Sequence, residues 1–533
     1  MPYVDLLLAG MLLLFAARMH QRLVHELHML QLNSYRIPRY LRWLRTNVLS
    51  YFGISAFLPF LSTAAIPFSP LVGIVCWGGT FVLLFTIQPK VETKKKLEFT
   101  PRATRLHVTN LIITTAIVCG LWVLVRPNLF YLALGLSIAH ALVFIVAILG
   151  AAAVYPIEAC VNRWYVEDAR KRIRRSSDLI IIGITGSYGK TSTKFVLASV
   201  LSEEKTCLIT PASYNTTMGV TKVIRTMLGP LHEVFIVEMG ARQPGDIREI
   251  ATLVQPRIGI ITAIGDQHLE TFGSREVIQK TKFELIASLP SNGLACLNGD
   301  DSAVVNAAKS ITHVRKVFYG IEASGLDYQA ERIKTDPSGT GFQVRTPSGD
   351  SVNIRSHLLG RHNVLNILGA VAVAKELGVA ADRIESGVRK VKPMPHRLEI
   401  KKIPGSYTII DDAFSSNPVG AQTALEVLSE IRGGRKIIIT PGMVELGQKE
   451  KEHNFAFGTR IAKVCDYVIL VGSKQTEPIR HGLNSVGYPT ERLHVADDLK
   501  SASAHLQTIV QKEDVVLFEN DLPDNYNESK ARQ

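Results

Sequence analysis

"GITGSYGKTST", residues 183–193, governs how the rest of the chain is read. It closes the run "DLIIIGITG", whose continuous branched apolar content predicts a buried parallel strand. The stretch after it, "KTSTKFVLASVLSEE", carries Leu and Val at helical spacing. A strand, a short glycine turn and a helix bring backbone amides and a helix N-terminus to one point, where a phosphate is favoured. The common phosphate-loop rule, G-x-x-x-x-G-K-[ST], is not met, because the position five before Gly189 is Ile184. Gly183 falls one residue too early and Gly186 two too late. The stretch is either a phosphate loop of another spacing or a glycine turn with an ordinary surface lysine.

The same theme recurs downstream. "EVFIVEMG", "IGIITAIG", "GLACLNGD", "RKIIITPG" and "YVILVG" are apolar runs that end in a glycine or acidic turn. Strand–turn–helix repetition predicts doubly wound α/β sheets with ligands at the carboxyl ends of the strands. A polar stretch from about 320 to 355 reads as irregular and precedes a helical linker, and a second α/β set begins near Tyr407.

The first third has another texture. The net charge of +13 raises the question of nucleic acid, so the position of the charge matters. Residues 1–110 hold 12 Lys/Arg against 4 Asp/Glu, nearly all between apolar runs, which is a membrane pattern; nucleic acid is not expected as a partner. Residues 46–89, 109–125 and 127–157 carry no charge. A bilayer core of about 30 Å takes about 20 apolar residues, so four spans are expected near 47–66, 71–88, 109–126 and 130–153. The opening run, Leu6 to Ala17, is a fifth span or an interfacial helix. Basic segments Arg18–Arg45, Lys90–Arg105 and Arg163–Arg175 alternate with these hairpins. The positive-inside rule then puts them, and everything after about residue 160, on the cytosolic side of the cytoplasmic membrane. His140 reads more simply as a histidine paired inside the helix bundle than as a relay or ligand. The six cysteines are scattered without a C-x-x-C pair, which suits a reducing compartment and excludes a zinc ribbon.

The loop spacing G-x-x-G-K-[ST] followed by Ser-Thr resembles that of the Mur ligase family, and further stretches agree in order, closest to its D-alanyl-D-alanine-adding branch. They are "SYNTTMGV" (213–220), "VEMGARQPGDI" (237–247), "AIGDQHLETFGS" (263–274), "QKTKFEL" (279–285), "LNGDD" (297–301), "LLGRHNVLN" (358–366), "PMPHRLE" (393–399), "IIDDAFSSNP" (409–418) and "PGMVELG" with His453. The resemblance implies that Gly186, Ser187, Gly189, Lys190, Thr191 and Ser192 bind the phosphates of ATP. It implies that Thr191, Glu238, His268 and Lys282 serve Mg²⁺, with Lys282, 14 residues after His268, carrying a carbamate. Lys190, Lys282, His268 and Glu238 are then the catalytic set. Asn298, His362, Asn363 and Asn366 contact adenine and ribose, Arg397 sits at an interdomain hinge, and Asp411 helps to position ATP. Hard Mg²⁺ takes oxygen ligands, which suits Glu238, the Thr191 hydroxyl and a carbamate.

The expected architecture is an α-helical multi-span membrane domain (1–160), a basic linker (161–178), a central P-loop-type ATP-binding α/β domain (179–395) and a C-terminal Rossmann-like ligase domain (396–533). The implied function is an ATP-dependent ligase joining an amino acid or dipeptide to a peptide carboxylate of a cell-wall precursor through an acyl phosphate. A membrane domain stands where the family's soluble members begin with a UDP-sugar domain, so the acceptor is expected to be lipid-linked. Two further departures are Arg242 in place of the family's Asn after E-x-G-A, and an acidic loop at 519–524 in place of a lysine–glycine–serine turn. The competing readings are a poly-glutamate-type polymer ligase and a membrane nucleotide-binding scaffold without ligase activity.

Overall fold

The computed structural model describes residues 2–48, 53–86, 96–125, 128–211, 214–266, 269–336, 339–393, 396, 398–402, 406–413, 417–431, 433–444 and 446–520. The chain divides into two units, Met1–Trp164 and Tyr165–Gln533.

The larger unit is built on two sheets. The first runs through β1 (Ile180–Thr185), β2 (Cys207–Ile209), β3 (Val234–Glu238), β4 (Ile258–Ile261), β5 (Leu294–Asn298), β6 (Arg315–Gly320), β7 (Tyr328–Asp336), β8 (Gly339–Arg345) and β9 (Ser351–Ser356). Its strand order is β2-β3-β1-β4-β5-β6-β7-β8-β9, parallel up to β7 and antiparallel beyond. The isoleucine-rich strands are buried on both faces, as parallel strands must be. Ile182 and Ile184 join Val196, Leu197, Ile367 and Val371 in one core, while Ile181 joins Phe235, Val237, Ile250, Leu285 and Leu297 in the other. β1 lies between β3 and β4, where the strand order reverses, and its carboxyl end opens on the crevice where such sheets bind ligands.

The stretch 320–355 is not irregular. It forms β7, β8 and β9, a meander that extends the parallel sheet. These strands have one solvated face, so polar and apolar residues alternate, as in the exposed–buried pattern of β9. Looking for continuous apolar runs misses strands of this kind.

The second sheet has β10 (Glu399–Lys402), β11 (Thr408–Asp412), β12 (Lys436–Thr440), β13 (Tyr467–Val471), β14 (Leu493–Ala496) and β15 (Val515–Glu519) in the order β10-β11-β15-β12-β13-β14. Only β10 is antiparallel to its neighbour.

The smaller unit is helical: Pro2–Leu32, Ile37–Thr46, Ile54–Thr63, Pro70–Thr86, Pro101–Val125, Leu129–Ala141 and the start of Val143–Arg174. Phe15, Trp77, Phe81, Leu136 and Val146 share its core. Among the described residues only Pro101–Val125 and Val143–Arg174 are long and apolar enough to cross a membrane, while Pro70–Thr86 and Leu129–Ala141 are apolar but shorter. Pro67 and Pro70 mark the turn between Ile54–Thr63 and Pro70–Thr86, within the uncharged run 46–89. The segment 130–153 is divided at Leu142, which leaves helical geometry. The opening apolar run lies inside the 31-residue helix Pro2–Leu32. The basic stretch after 160 is helical to Arg174. His140 is fully buried but not paired: neither ring nitrogen has a hydrogen-bond partner among the described residues.

Candidate active site

β1 delivers the loop 186–189 to the switch point, and the helix Lys190–Leu201 leaves from it. Ile184, the residue that breaks the common loop rule, is a fully buried strand residue, so the loop begins only at Gly186. Gly189 has φ +80°, a left-handed conformation that a side chain resists, and a Cβ there would lie 2.3 Å from Asn366 Oδ1. At Gly186 (φ +154°) a Cβ would lie 2.0 Å from Thr262 Oγ1. The loop is anchored from beneath. The Ser187 amide donates to the Ala263 carbonyl at 2.7 Å, and the Ser187 hydroxyl to the Gly265 carbonyl at 3.1 Å. The Thr262 hydroxyl donates to the Tyr188 carbonyl. Lys190 folds back on the loop, its Nζ donating to the carbonyls of Gly186 (2.6 Å) and Ser187 (3.0 Å). Thr191 and Ser192 are half-buried on the first helical turn, whose amides lack intrahelical partners.

Four strand ends converge on this loop. Glu238 is the last residue of β3, in register with Ile184, and its side chain is 3% exposed. Its Oε2 accepts from Lys194 Nζ at 2.9 Å and its Oε1 from Asn215 Nδ2 at 3.2 Å. Burial would raise its pKa, but Lys194 and Lys190, with the hydrogen bonds from Lys194 and Asn215, hold it below the ordinary carboxylate value. Asn298, the last residue of β5, donates to the Thr262 carbonyl at 2.8 Å. From the helix Arg361–Glu376, Asn366 Oδ1 accepts from the Thr193 hydroxyl at 3.3 Å, and Asn366 Nδ2 donates to Asn363 Oδ1 at 3.2 Å. His362 is half-buried on the first turn of the same helix.

Lys282, on the helix Arg275–Ala287, is buried and has no hydrogen-bond or ion-pair partner among the described residues. Burial pushes its amine well below the usual lysine value; Lys190 nearby adds to this, and Asp246 and Glu238 oppose it. This favours the uncharged form of the amine. His268 and Arg397 lie outside the described residues. Asp411, at the carboxyl end of β11, is not drawn to the loop. It accepts from Lys401 at 2.8 Å, stands 2.9 Å from His396 Nδ1, and takes the Ala413 amide. Desolvation would raise its pKa, but Lys401 and His396 hold it low. Asp266, two residues before His268, connects the two sheets' domains: Lys449 Nζ is 3.4 Å and His453 Nε2 3.6 Å from its Oδ2. Among the described residues no three His, Cys, Asp or Glu side chains form a ready metal site.

Lys194 was not picked out from the sequence. It sits one helical turn after Lys190 with 0% exposure. A lysine inside an otherwise apolar helix needs a carboxylate, and "VEMG" supplies it. Removing one partner of a buried pair leaves the other charge stranded, so Lys194→Met should lower unfolding free energy by about 3 kcal/mol at pH 7. Urea denaturation checks this. Glu238 titrates lower folded than unfolded, so the wild type keeps this contribution above pH 4.5 and loses it in stronger acid, while the variant never has it. A loss under 1 kcal/mol at pH 7 counts against a stabilising pair.

The family models agree with this geometry. The Mur ligase middle domain matches residues 184–374, and the Mur ligase glutamate ligase domain matches residues 396–519. The UDP-N-acetylmuramoyl-tripeptide–D-alanyl-D-alanine ligase of Escherichia coli K12 is 32% identical over 309 residues, 58% of this chain and 67% of that protein. The ligase of the same name from Synechocystis is 30% identical over 347 residues, covering 65% and 72%. For the Bacillus subtilis relative the coverage is 60% of its own length, so the chain spans between 60% and 72% of these three proteins. Among solved structures, MurF from Acinetobacter baumannii superposes with a TM-score of 0.61 at 27% identity, covering 68% of this chain and 77% of that one. MurF from Thermotoga maritima in complex with ADP gives 0.60 at 27%, covering 68% and 80%.

Proposed function

The chain belongs to the Mur ligase family, ATP-dependent ligases that form peptide bonds, and from that premise we propose that it joins D-alanyl-D-alanine, or a similar dipeptide or amino acid, to the peptide carboxylate of a lipid-linked cell-wall precursor. The observation that carries the reading is the meeting of the Gly186–Lys190 loop with Glu238 and the buried amine of Lys282 at the reversal point of the sheet.

The residues suit ATP and Mg²⁺. The two loop glycines leave open the space that side chains would fill, and Glu238 is held as a carboxylate in a buried position. Thr191, Glu238 and carbamylated Lys282 would hold magnesium through oxygen, together with His268 if the family pattern extends to it. When bound, the ion offsets charge on the transferring phosphoryl group. The carboxylate oxygen of the acceptor attacks the γ-phosphorus, and ADP leaves. The amine then attacks the acyl carbon, and phosphate leaves as the nitrogen gives up a proton. Lys190 exchanges the Gly186 and Ser187 carbonyls for phosphate oxygens, and the loop amides orient the chain being transferred. Lys194 and Asn215 fix the plane of the Glu238 carboxylate through one lone pair on each oxygen, leaving the others for a cation. Asp266 with Lys449 and His453, and Asp411 at the edge of the second sheet, supply contacts for domain closure.

The lipid-linked acceptor is supported by the smaller unit. Leu124 is 84% and Val123 78% exposed on Pro101–Val125, with Ile112 on the same helix, a surface that suits hydrocarbon better than water. A multi-pass location in the cytoplasmic membrane with the two α/β domains in the cytosol is part of the same proposal.

The test offers detergent-purified protein a matrix of lipid-linked and UDP-linked acceptors against amines, with ADP release and product mass as readouts. ADP release that needs both acceptor and amine is expected, with the lipid-linked acceptor preferred. ATP binding without amine-dependent turnover would return the protein to a scaffold. Equal or faster turnover of the UDP-linked acceptor would remove the lipid requirement.

A further inference from the structure

The helical unit holds a cation that no carboxylate among the described residues neutralises. Arg18, on Pro2–Leu32, is 4% exposed. Its one hydrogen bond among the described residues runs from Nη1 to Gln21 Oε1 at 3.2 Å, and its Nε has no partner. No carboxylate among the described residues stands within ion-pair distance of it. Arg22, one turn further on the same face, is also buried, as is Glu26, which accepts from the Tyr40 hydroxyl. Glu26 and Asp5 are the only acidic residues of that helix. Two buried guanidiniums therefore share at most one buried carboxylate from their own helix.

His140 stands within electrostatic reach of both arginines, against the edge of the Phe81 ring, with neither nitrogen bonded. Ser137, one turn before His140, donates to the Ala133 carbonyl and accepts from Trp77 Nε1 at 3.0 Å. A buried guanidinium without a counter-charge is among the costliest groups a fold can carry. Where charged groups lie inside apolar helices, they mark ligand paths.

We propose that Arg18, Arg22 and His140 form a binding site for a phosphate or diphosphate group, the headgroup of a polyprenyl-type lipid. The two guanidiniums supply more N–H donors than the two oxygens of a carboxylate can use, and a phosphate offers three acceptor oxygens. The surrounding helices present apolar side chains outward, which suits a ligand whose other end is hydrocarbon. This inference rests on the lipid-linked acceptor of the preceding section: it names the group by which such an acceptor is held.

The test uses the full chain in detergent, without ATP or amine. Geranylgeranyl diphosphate, geranylgeraniol and inorganic pyrophosphate are offered separately, and binding is followed by calorimetry and by thermal melting. The lipid diphosphate should bind and raise the melting temperature, geranylgeraniol should do neither, and Arg18→Met should weaken the lipid diphosphate at least tenfold. Pyrophosphate binding as tight as the lipid's also supports the site and assigns it to a soluble phosphate. Arg18→Met should melt no lower than wild type without ligand, because it removes an uncompensated charge; His140→Phe gives a second variant that keeps the ring volume. The site is overturned if geranylgeraniol binds equally well, if neither variant weakens binding, or if unliganded Arg18→Met melts clearly lower, since the arginine is then neutralised within the protein. Because no ligation is measured, absent binding leaves the ligase reading standing, and absent ligation leaves this site standing.

Discussion

Lys190→Met should cut the rate of ADP release about a thousandfold, equivalent to about 4 kcal/mol of lost transition-state stabilisation. Methionine keeps the length and most of the apolar stem of lysine and removes only the charge. In the structure the ammonium is bound to the Gly186 and Ser187 carbonyls, 2.6 and 3.0 Å away, so it is already held where a phosphate would meet the loop. Those neutral acceptors are weaker partners than phosphate oxygens, and most of the gain comes as charge develops during transfer. The loss should therefore fall on kcat more than on the KM for ATP. Melting temperature should hardly move, because the loop is anchored by Ser187 and Thr262 rather than by Lys190. A rate within tenfold of wild type would remove Lys190 from phosphoryl transfer.

The second large effect concerns Lys282. Lys282→Met and Lys282→Arg should each lower turnover about a thousandfold. The two together are informative. Arginine keeps a cation but cannot take up carbon dioxide, so its failure separates a carbamate from a simple positive charge. The chemistry needs a neutral amine, which adds to carbon dioxide and releases one proton. Burial, the largest influence on Lys282, favours that uncharged amine. Wild-type enzyme stripped of bicarbonate should lose activity and regain it on re-addition, more completely at pH 8 than at pH 6. Below the ordinary lysine value of 10.5 the unfolded chain binds a proton that the folded chain refuses, so this amine lowers stability there and the deficit shrinks as pH rises. Lys282→Met removes the deficit and should melt no lower than wild type. Full activity in Lys282→Arg, or indifference of the wild type to bicarbonate, would dismiss the carbamate.

Much of the larger unit could be read from the chain because its physics is local. Each buried parallel strand is a continuous apolar run, and each run ends in the glycine or acid that the crevice needs, as "IIIGITG" and "FIVEMG" do. Ile184 breaks the common loop rule because it belongs to β1, and the loop begins only at Gly186. What escaped the sequence depends on contacts between distant positions. Lys194 is one lysine among many until Glu238, 44 residues away, is folded against it. The meander β7–β9 hides because half of its residues face water. In the helical unit, apolarity over 130–153 does not register the break at Leu142. His140 was expected to be paired, and its lack of a partner is visible only with its neighbours in place.

β15 has a consequence for how the protein is made. It is the last strand among the described residues, yet it pairs with β11 on one side and β12 on the other, near the middle of its sheet. Until Val515–Glu519 has emerged from the ribosome, β11 and β12 each show an open edge, and two half-sheets wait with nothing to join them. Any chain ending before Val515 keeps those edges for good. In the cell such a product is a substrate for chaperones and proteases, so a stop codon shortly before Val515 should act as a near-null allele even though every residue of the phosphate-loop domain has been made.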